Sequence, residues 1–325
     1  MNSPGKKGRL ALRRSAFARL EESGGRHPSK LELVAATAQL SIPARTASPI
    51  ALWHLLSLDA PTVAALWTWF IARACDVSLP LASTVAMALA VWILYAGDRL
   101  LDSRALDAGG RPHSDELEAR HLFHRRNRRA FLSGIVLSAA TLAVMLPELD
   151  PAAIRLYLVE GALLAAWFVI LHATHSAHRL PKEIAVGLFF AAAIFIPTVA
   201  RGTFDLRLAL VSSAIVFAAL CSLNCLFIYA WEHEGTRWHP ARQPHATTRL
   251  AMAHLPAIGI AVAGAGIALV PMPSARASLI PAACALAAGL LLLLHRYRRR
   301  LSRTHLRAAA DLALLTPLLL LPFLR

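Results

Sequence analysis

Repeated apolar runs, each long enough to cross a lipid bilayer, dominate this 325-residue sequence. A transmembrane helix needs about 20 mostly apolar residues, and a backbone exposed to lipid must satisfy its own hydrogen bonds. Charged residues make up only 16% of the chain, against roughly a quarter in a soluble domain. The sequence therefore predicts an all-α, polytopic membrane bundle of about nine transmembrane helices. The predicted spans are 50–72, 79–97, 130–147, 151–171, 183–200, 207–231, 249–270, 277–294 and 308–324.

Lysine and arginine lie mostly in alternate segments between the predicted spans. Segments on the N-terminal side of the membrane hold 28 of these residues, and those on the opposite side hold 6. Positive charge is retained in the cytoplasm, so we predict a plasma-membrane protein, in a bacterium the inner membrane, with a cytoplasmic N-terminus and an outside C-terminus. The net charge of +15 is then mostly topological. The lipid bilayer, and not nucleic acid, is the expected partner.

The beginning of the chain differs from the rest in being basic and lacking a long apolar run. It shows no cleavage site and is not a secretory signal. We predict a basic cytosolic tail over residues 1–48, partly disordered or lying on the membrane, and a helical membrane domain over 49–325. Buried free thiols are predicted, because all four cysteines lie in or beside apolar runs without disulfide or zinc spacing. These are Cys75, Cys221, Cys225 and Cys284.

Two acidic clusters follow the second and sixth predicted spans, both on the predicted cytoplasmic side. Residues 93–107 read ILYAGDRLLDSRALD and residues 226–234 read LFIYAWEHE, so Tyr-Ala-x-acid occurs in each. The second and sixth spans are four apart in order and end in the same motif. This predicts two related four-helix halves plus one further helix. The residues of interest are Tyr95, Asp98, Asp102 and Asp107 in the first cluster and Tyr229, Glu232 and Glu234 in the second.

The acidic residues suggest a metal site. Asp98 and Asp102, four positions apart, share one helix face and repel each other unless a cation lies between them. Mg²⁺ binds through one or two carboxylates together with substrate phosphate oxygens. Facing clusters would hold metal ions that bind a diphosphate, with Asp98, Asp102, Asp107, Glu232 and Glu234 as candidate ligands. The alternative, that these acids balance nearby arginines such as Arg99, stays open at this point.

Other polar residues in or beside the spans are candidates for substrate contacts. Arg179 and Lys182 precede the fifth span and suit phosphate oxygens, although they also serve as topological positive charges. Asn224 lies about two helical turns before Glu232, so it either lines the same cavity or forms a hydrogen bond between helices.

Three further acids, Asp59, Glu160 and Asp311, are candidates for groups that face the bundle interior. Asp59 precedes Pro61 and is typical of a helix N-cap, in which case the first span begins at Ala60 and residues 41–58 lie along the interface.

Taken together, residues 50–325 resemble the UbiA superfamily of intramembrane prenyltransferases, whose first motif reads N-D-x-x-D-x-x-x-D. The matching segments are GDRLLDSRALD, YAWEHE, and PKEIAVGLFFA with Pro181, Lys182 and Gly187. The resemblance implies Mg²⁺-dependent transfer of a prenyl group from an isoprenoid diphosphate to an acceptor, often aromatic. It implies catalytic and metal-binding roles for Asp98, Asp102 and Glu232, with Asp107 and Glu234 as further ligands. It also implies diphosphate contacts from Lys182, Arg179 and Arg99, and positioning roles for Asn224, Tyr95 and Tyr229.

Two alternative functions remain. The motifs depart from the family pattern, with Leu101 or Arg99 in an aspartate position depending on the alignment, which favours a carrier or assembly partner without the chemistry. Histidines on the predicted cytoplasmic side favour a membrane oxidase or hydroxylase with an iron centre, although no adjacent His-His pair occurs. These histidines are His121, His124, His172, His175, His178, His233, His239 and His245.

Overall fold

The computed structural model describes residues 49–107, 123–173, 181–234, 245–271 and 277–324. All of them belong to the unit Ser48–Arg325, and the predicted basic tail, within the unit Met1–Ala47, lies outside the described residues. Regular structure in the described part is entirely helical. The helices are α1 (Pro49–Leu55), α2 (Asp59–Ala74), α3 (Leu81–Asp107), α4 (Arg128–Met145), α5 (Pro151–Ala173), α6 (Lys182–Arg201), α7 (Phe204–Glu232), α8 (Ala246–Ala253), α9 (Leu255–Leu269), α10 (Leu279–Tyr297), α11 (Arg303–Ala313) and α12 (Pro317–Leu320). Short 3-10 helices occur at Leu146–Glu148, Arg298–Arg300 and Leu321–Leu324.

Six helical stretches among the described residues are long and apolar enough to cross a membrane. They are Leu81–Leu101, Arg128–Glu148, Lys182–Arg201, Phe204–Glu232, Leu279–Arg300 and His305–Leu324. The pair α8 and α9, bent by 79°, gives a seventh if it forms one span. These lengths and compositions support integration into a membrane. The predicted number of nine spans is not confirmed.

The first predicted span, 50–72, is not one continuous helix. It divides into α1 and α2 at a turn where Ser57 adopts a left-handed φ of 59°. Pro61 lies in the first turn of α2, where a backbone N–H would have no acceptor within the helix, so proline is tolerated there. The prediction of an N-cap at Asp59 is wrong, because Asp59 is the first residue of α2 and no side chain caps this helix. The side chain of Asp59 is instead completely buried.

The centre of the bundle lies between α2 and α7. The buried rings of Trp67 in α2 and Phe217 in α7 pack with their centroids 4.3 Å apart. The Trp67 indole N–H donates to the carbonyl of Leu314, 2.7 Å away, just after α11 ends. A carbonyl at a helix end lacks an intrahelical donor, so it can accept this bond. The C-terminal segment is thereby attached to the core.

Small residues allow a close contact between α6 and α7. A Cβ placed on Gly187 would lie 2.6 Å from the Cα of Ser222, so only glycine fits at this crossing. The Ser222 hydroxyl donates to the carbonyl of Ile184 across the same crossing. Small residues that let two backbones approach, together with hydroxyl hydrogen bonds, are typical of helix pairs within membranes. This contact holds the start of α6 beside the second half of α7.

Candidate functional site

Arg99 near the end of α3 is almost fully buried, although it is charged. Its Nη2 donates to the hydroxyl of Tyr95, 2.6 Å away and one helical turn earlier. The guanidinium also lies over the Tyr95 ring, 4.5 Å from the centroid, where the ring's negative face stabilises a cation. Among the described residues, the Nη1 atom of Arg99 is buried without a hydrogen-bond partner.

Arg307 of α11 joins the two sequence motifs. It forms an ion pair with Glu232 at the end of α7, with both side chains mostly buried. It also lies close to the Tyr95 hydroxyl on α3. The tyrosine of the first Tyr-Ala-x-acid motif and the acid of the second therefore meet at one guanidinium. The ends of α3, α7 and α11 form one polar region at this end of the bundle.

A group of four buried polar side chains, here called the inner cluster, lies next to Arg307. It comprises His54 of α1, Asp59 of α2, Asn224 of α7 and Asp311 of α11. The His54 Nδ1 lies 2.6 Å from the Asp59 Oδ2, and the Asn224 Nδ2 donates to the Asp311 Oδ1 across 3.2 Å. Ligand atoms of His54, Asp59 and Asp311 lie within 4.8 Å of one another, so the two pairs meet and the cluster brings four helices together.

His54 is positioned by the turn at Ser57. The turn brings the end of α1 back against the start of α2, and the Ser57 hydroxyl lies 3.3 Å from the Nε2 of His124. Burial of the His54 imidazole lowers its pKa below the ordinary value of 6.5, more strongly than contact with Asp59 raises it. A neutral His54 that donates from Nδ1 to an ionised Asp59 is consistent with this geometry.

The predicted ligands Asp98, Glu232 and Glu234 each face a cation in this structure. Lys182 lies 3.9 Å from the Asp98 carboxylate, with both side chains about two-fifths exposed. Arg298 lies 3.2 Å from Glu234, and Arg307 pairs with Glu232. Each of these three acids contacts a basic side chain, as expected if the acids balance nearby positive charges.

The predicted Mg²⁺ site stays a prediction. Among the described residues, the group whose ligand atoms converge closely enough for a metal is His54, Asp59 and Asp311, and it contains none of the predicted Mg²⁺ ligands. The side chains of Asp102 and Asp107, and the whole of Arg179, lie outside the described residues.

The positioning residues have identified surroundings. Asn224 is buried and forms the helix-to-helix hydrogen bond that was one of its two predicted roles. Tyr95 contacts Arg99 and Arg307. Tyr229 packs against His233 with ring centroids 4.1 Å apart, and its environment differs from that of Tyr95.

The histidine alternative stays a prediction, because only three of its histidines have described side chains. His124 lies beside Ser57, His233 contacts the Tyr229 carbonyl, and His245 contacts Thr247 at the start of α8. These three do not occur together in a metal-binding group in the described part. The remaining histidines of this hypothesis, at 121, 172, 175, 178 and 239, lie where the structure does not describe side chains.

Two residues of the site were missed from the sequence. His54 carried no signal, because its contact with Asp59 depends on the left-handed turn at Ser57. Arg307 was counted only as a positive charge that sets topology, although its position four residues before Asp311 places both on one face of α11. That spacing was a usable signal.

Comparison of the chain with models of protein families, with curated proteins and with solved structures finds no match to any of them. The resemblance to the UbiA superfamily stays a prediction that rests on the motifs of α3, α6 and α7.

Proposed function

We propose that this protein is an integral membrane enzyme that transfers a prenyl group from an isoprenoid diphosphate to an acceptor, which an aromatic ring would suit. The observation that carries the proposal is the meeting of Tyr95 and Glu232 at Arg307. It brings both motifs of the resemblance to one end of an apolar bundle. A substrate with an apolar tail and a charged head needs this combination of surfaces.

Cationic groups supply the binding site for the diphosphate head. The Arg99 Nη1 and the Arg307 Nε are buried, and each lacks a hydrogen-bond partner among the described residues. Guanidinium donors of this kind form strong, charge-assisted hydrogen bonds with phosphate oxygens. Lys182, near Asp98 and more exposed, is placed to contact an outer phosphate oxygen.

Apolar helix walls suit the prenyl tail. α4 exposes large apolar side chains such as Val136, Leu137 and Val144. In a bilayer these surfaces contact lipid, so an isoprenoid chain reaches the bundle from the side without entering water. The head and the tail are then held at the boundary between a polar and an apolar region.

The proposed reaction breaks the bond between the allylic carbon and the diphosphate oxygen. The electron pair of that bond leaves with the diphosphate, whose charge Arg99 and Arg307 stabilise. A carbon of the acceptor forms the new bond to the allylic carbon and loses its proton to a carboxylate, and Glu232, beside Arg307, is the candidate for this role. The Mg²⁺ that the resemblance implies would be held by the acids of the two motifs, such as Asp98 and Glu232, and would add positive charge beside the leaving diphosphate.

A second candidate function is a carrier or assembly partner that binds the same lipid without chemistry. The ion pairs favour it, since Asp98, Glu232 and Glu234 are already engaged by Lys182, Arg307 and Arg298. Engaged carboxylates are less available as ligands or bases than free ones.

Turnover and binding distinguish these functions. Purified full-length protein is incubated with labelled prenyl diphosphates of several lengths and a mixture of aromatic acceptors, with and without Mg²⁺. We expect a prenylated product from wild type and at least tenfold less from Arg307→Lys. Arg201→Lys is the matched control, because Arg201 pairs with Asp150 at the opposite end of α6.

Thermal stability with the same ligands provides the second measurement. Stabilisation by prenyl diphosphate without product supports the carrier. Both functions would be overturned if a folded protein gave no product and was not stabilised by prenyl diphosphate. Equal loss of turnover in Arg201→Lys and Arg307→Lys would remove the role assigned to Arg307.

A further inference from the structure

We propose that His54, Asp59 and Asp311 form a binding site for one divalent transition-metal ion, of the Zn²⁺ or Mn²⁺ class. One potential ligand atom from each residue lies within 4.8 Å of the others. Atoms that bind one metal at about 2.1 Å are at most about 4.2 Å apart, so movements of less than 1 Å close the site. The three residues come from α1, α2 and α11 and are 2%, 0% and 8% exposed.

A second observation points to a ligand at the same place. The Asp311 Oδ2 is fully buried and accepts no hydrogen bond from any described residue, although the Asp311 carboxyl group contacts that of Asp59. The Asn224 Oδ1 is likewise buried without a donor among the described residues. A buried oxygen without a partner costs about 1–3 kcal/mol, and such atoms are rare in native proteins. A metal ion bound to Asp311 would satisfy the carboxylate oxygen directly.

The charged groups around the inner cluster include more carboxylates than guanidiniums. Asp59, Asp311 and Glu232 are three carboxylates, whereas Arg99 and Arg307 are the two guanidiniums that act on them. Two buried carboxylates this close do not both stay ionised without a cation between them, so a metal ion would bind here by taking the place of a proton.

Contacts around the ligands would orient them for the metal. The Asn224 Nδ2 holds the Asp311 Oδ1, which leaves the Oδ2 as the ligand atom. The backbone N–H of Ala60 donates to the Asp59 Oδ1 across 3.1 Å, which leaves the Asp59 Oδ2 facing His54. Outer contacts that orient each ligand in this way are typical of metal sites.

The chemistry of the ligands selects the class of metal. One imidazole nitrogen with two carboxylate oxygens suits Zn²⁺, Mn²⁺ or Fe²⁺ better than Mg²⁺, which prefers oxygen ligands alone. The metal would replace the proton between His54 and Asp59. Three protein ligands leave a coordination position open, as in catalytic metal sites. The site does not depend on prenyl transfer, because none of its ligands takes part in the proposed reaction.

Metal retention tests the site directly. Tag-free, full-length protein is dialysed against a chelator, incubated separately with Zn²⁺, Mn²⁺ and Mg²⁺, desalted and analysed by mass spectrometry for metal. We expect wild type to retain about one Zn²⁺ or Mn²⁺ per chain and no Mg²⁺. Asp311→Asn and His54→Gln are expected to retain at least tenfold less. His245→Gln, outside the inner cluster, is the matched control and is expected to retain the wild-type amount.

Several results would overturn the site. These are a folded wild-type protein that retains none of the metals, retention of Mg²⁺ equal to that of Zn²⁺, and equal retention in wild type and both ligand variants. If the variants do not fold, Co²⁺ added to wild type decides the matter. Visible d–d absorption typical of low coordination supports the site, and the spectrum of aqueous Co²⁺ rejects it. No prenyl substrate is used, so this outcome is separate from that of the turnover assay.

Discussion

Asn224 donates its side-chain amide to Asp311 across 3.2 Å in the bundle interior, joining α7 to α11 although the residues are 87 positions apart. Replacing Asn224 by leucine would leave a buried carboxylate oxygen without its donor. We expect a loss of about 1–3 kcal/mol in unfolding free energy, measured by denaturant titration in mixed micelles. Asn127→Leu is the control, because the Asn127 side chain also donates a hydrogen bond, to the Phe123 carbonyl, but is only half-buried and lies outside the inner cluster. Equal losses in the two variants would contradict a special role for the inner cluster.

Gly187→Ala tests the contact between α6 and α7. The added Cβ would lie 2.6 Å from the Ser222 Cα, so we expect destabilisation of about 1–3 kcal/mol from overpacking. Gly289→Ala is the control, since nothing lies within 4 Å of its Cβ position, and alanine in a helix is expected to be neutral or slightly stabilising. Thermal unfolding of both variants provides the measurement.

The same contact predicts that Ser222→Ala does not restore the stability lost in Gly187→Ala. The close atoms at Ser222 include its backbone, so Gly187→Ala with Ser222→Ala is expected to remain as unstable as Gly187→Ala alone. Full recovery in the double variant would show that only the hydroxyl obstructs the methyl group.

The two ion pairs that Glu232 and Glu234 form at the end of α7 are expected to differ in strength. The Arg307 and Glu232 side chains are 17% and 21% exposed, whereas Glu234, opposite Arg298, is 47% exposed. Removing one partner of a buried pair costs up to about 3–5 kcal/mol, but exposed pairs contribute about 0–1 kcal/mol. Arg307→Met is therefore expected to lower the unfolding midpoint clearly, and Arg298→Met only slightly. The reverse order would contradict the assigned burial.

Cys75, which follows α2, is expected to react slowly with thiol reagents. Burial raises its pKa from 9.0 to about 12, so the reactive thiolate is scarce at pH 8. We expect labelling by iodoacetamide at least a hundredfold slower in folded than in unfolded protein, measured by peptide mass spectrometry. Because the folded state holds this proton more tightly, its contribution to stability is present below pH 9 and is lost as pH rises towards 12. Fast labelling of the folded protein would reject the shift.

Reporter fusions test the predicted topology. Charge asymmetry places the N-terminus inside and the C-terminus outside, which requires an odd number of spans. A C-terminal alkaline phosphatase is expected to be active, and a C-terminal fluorescent protein dark when exported unfolded. A fusion in the 235–244 segment reports on the cytoplasmic side predicted for the end of α7. Phosphatase activity at both sites would contradict the topology.

Local sequence patterns predicted the helices well but not their interruptions or their partners. Hydropathy located α3, α6 and α7, since each apolar run is continuous. It could not show that Ser57 reverses the chain, because a left-handed serine has no regular pattern in the sequence. For Asn224 the sequence left two roles open, and the structure shows the hydrogen bond between helices.

Long-range pairing decided the rest of the site. Asp98, Glu232 and Glu234 were expected to attract a metal, but whether an acid meets a metal or a base depends on which helix lies opposite. Arg307 and Arg298 come from helices at the far end of the chain. Their pairing with α7 cannot be predicted from the local spacing of residues. Charge alone therefore favoured a metal site and charge balance by arginines equally.

The inner cluster contains residues from both ends of the chain. His54 and Asp59 are synthesised early, whereas Asp311 lies on α11, near the C-terminus. During synthesis the ribosome therefore produces the first two well before the third is available. Until α11 inserts, the early pair has no partner from the last helix. A chain truncated before residue 303 would keep the polar side chains of His54 and Asp59 inside the bilayer without Asp311. Such a chain would be expected to be degraded by membrane proteases.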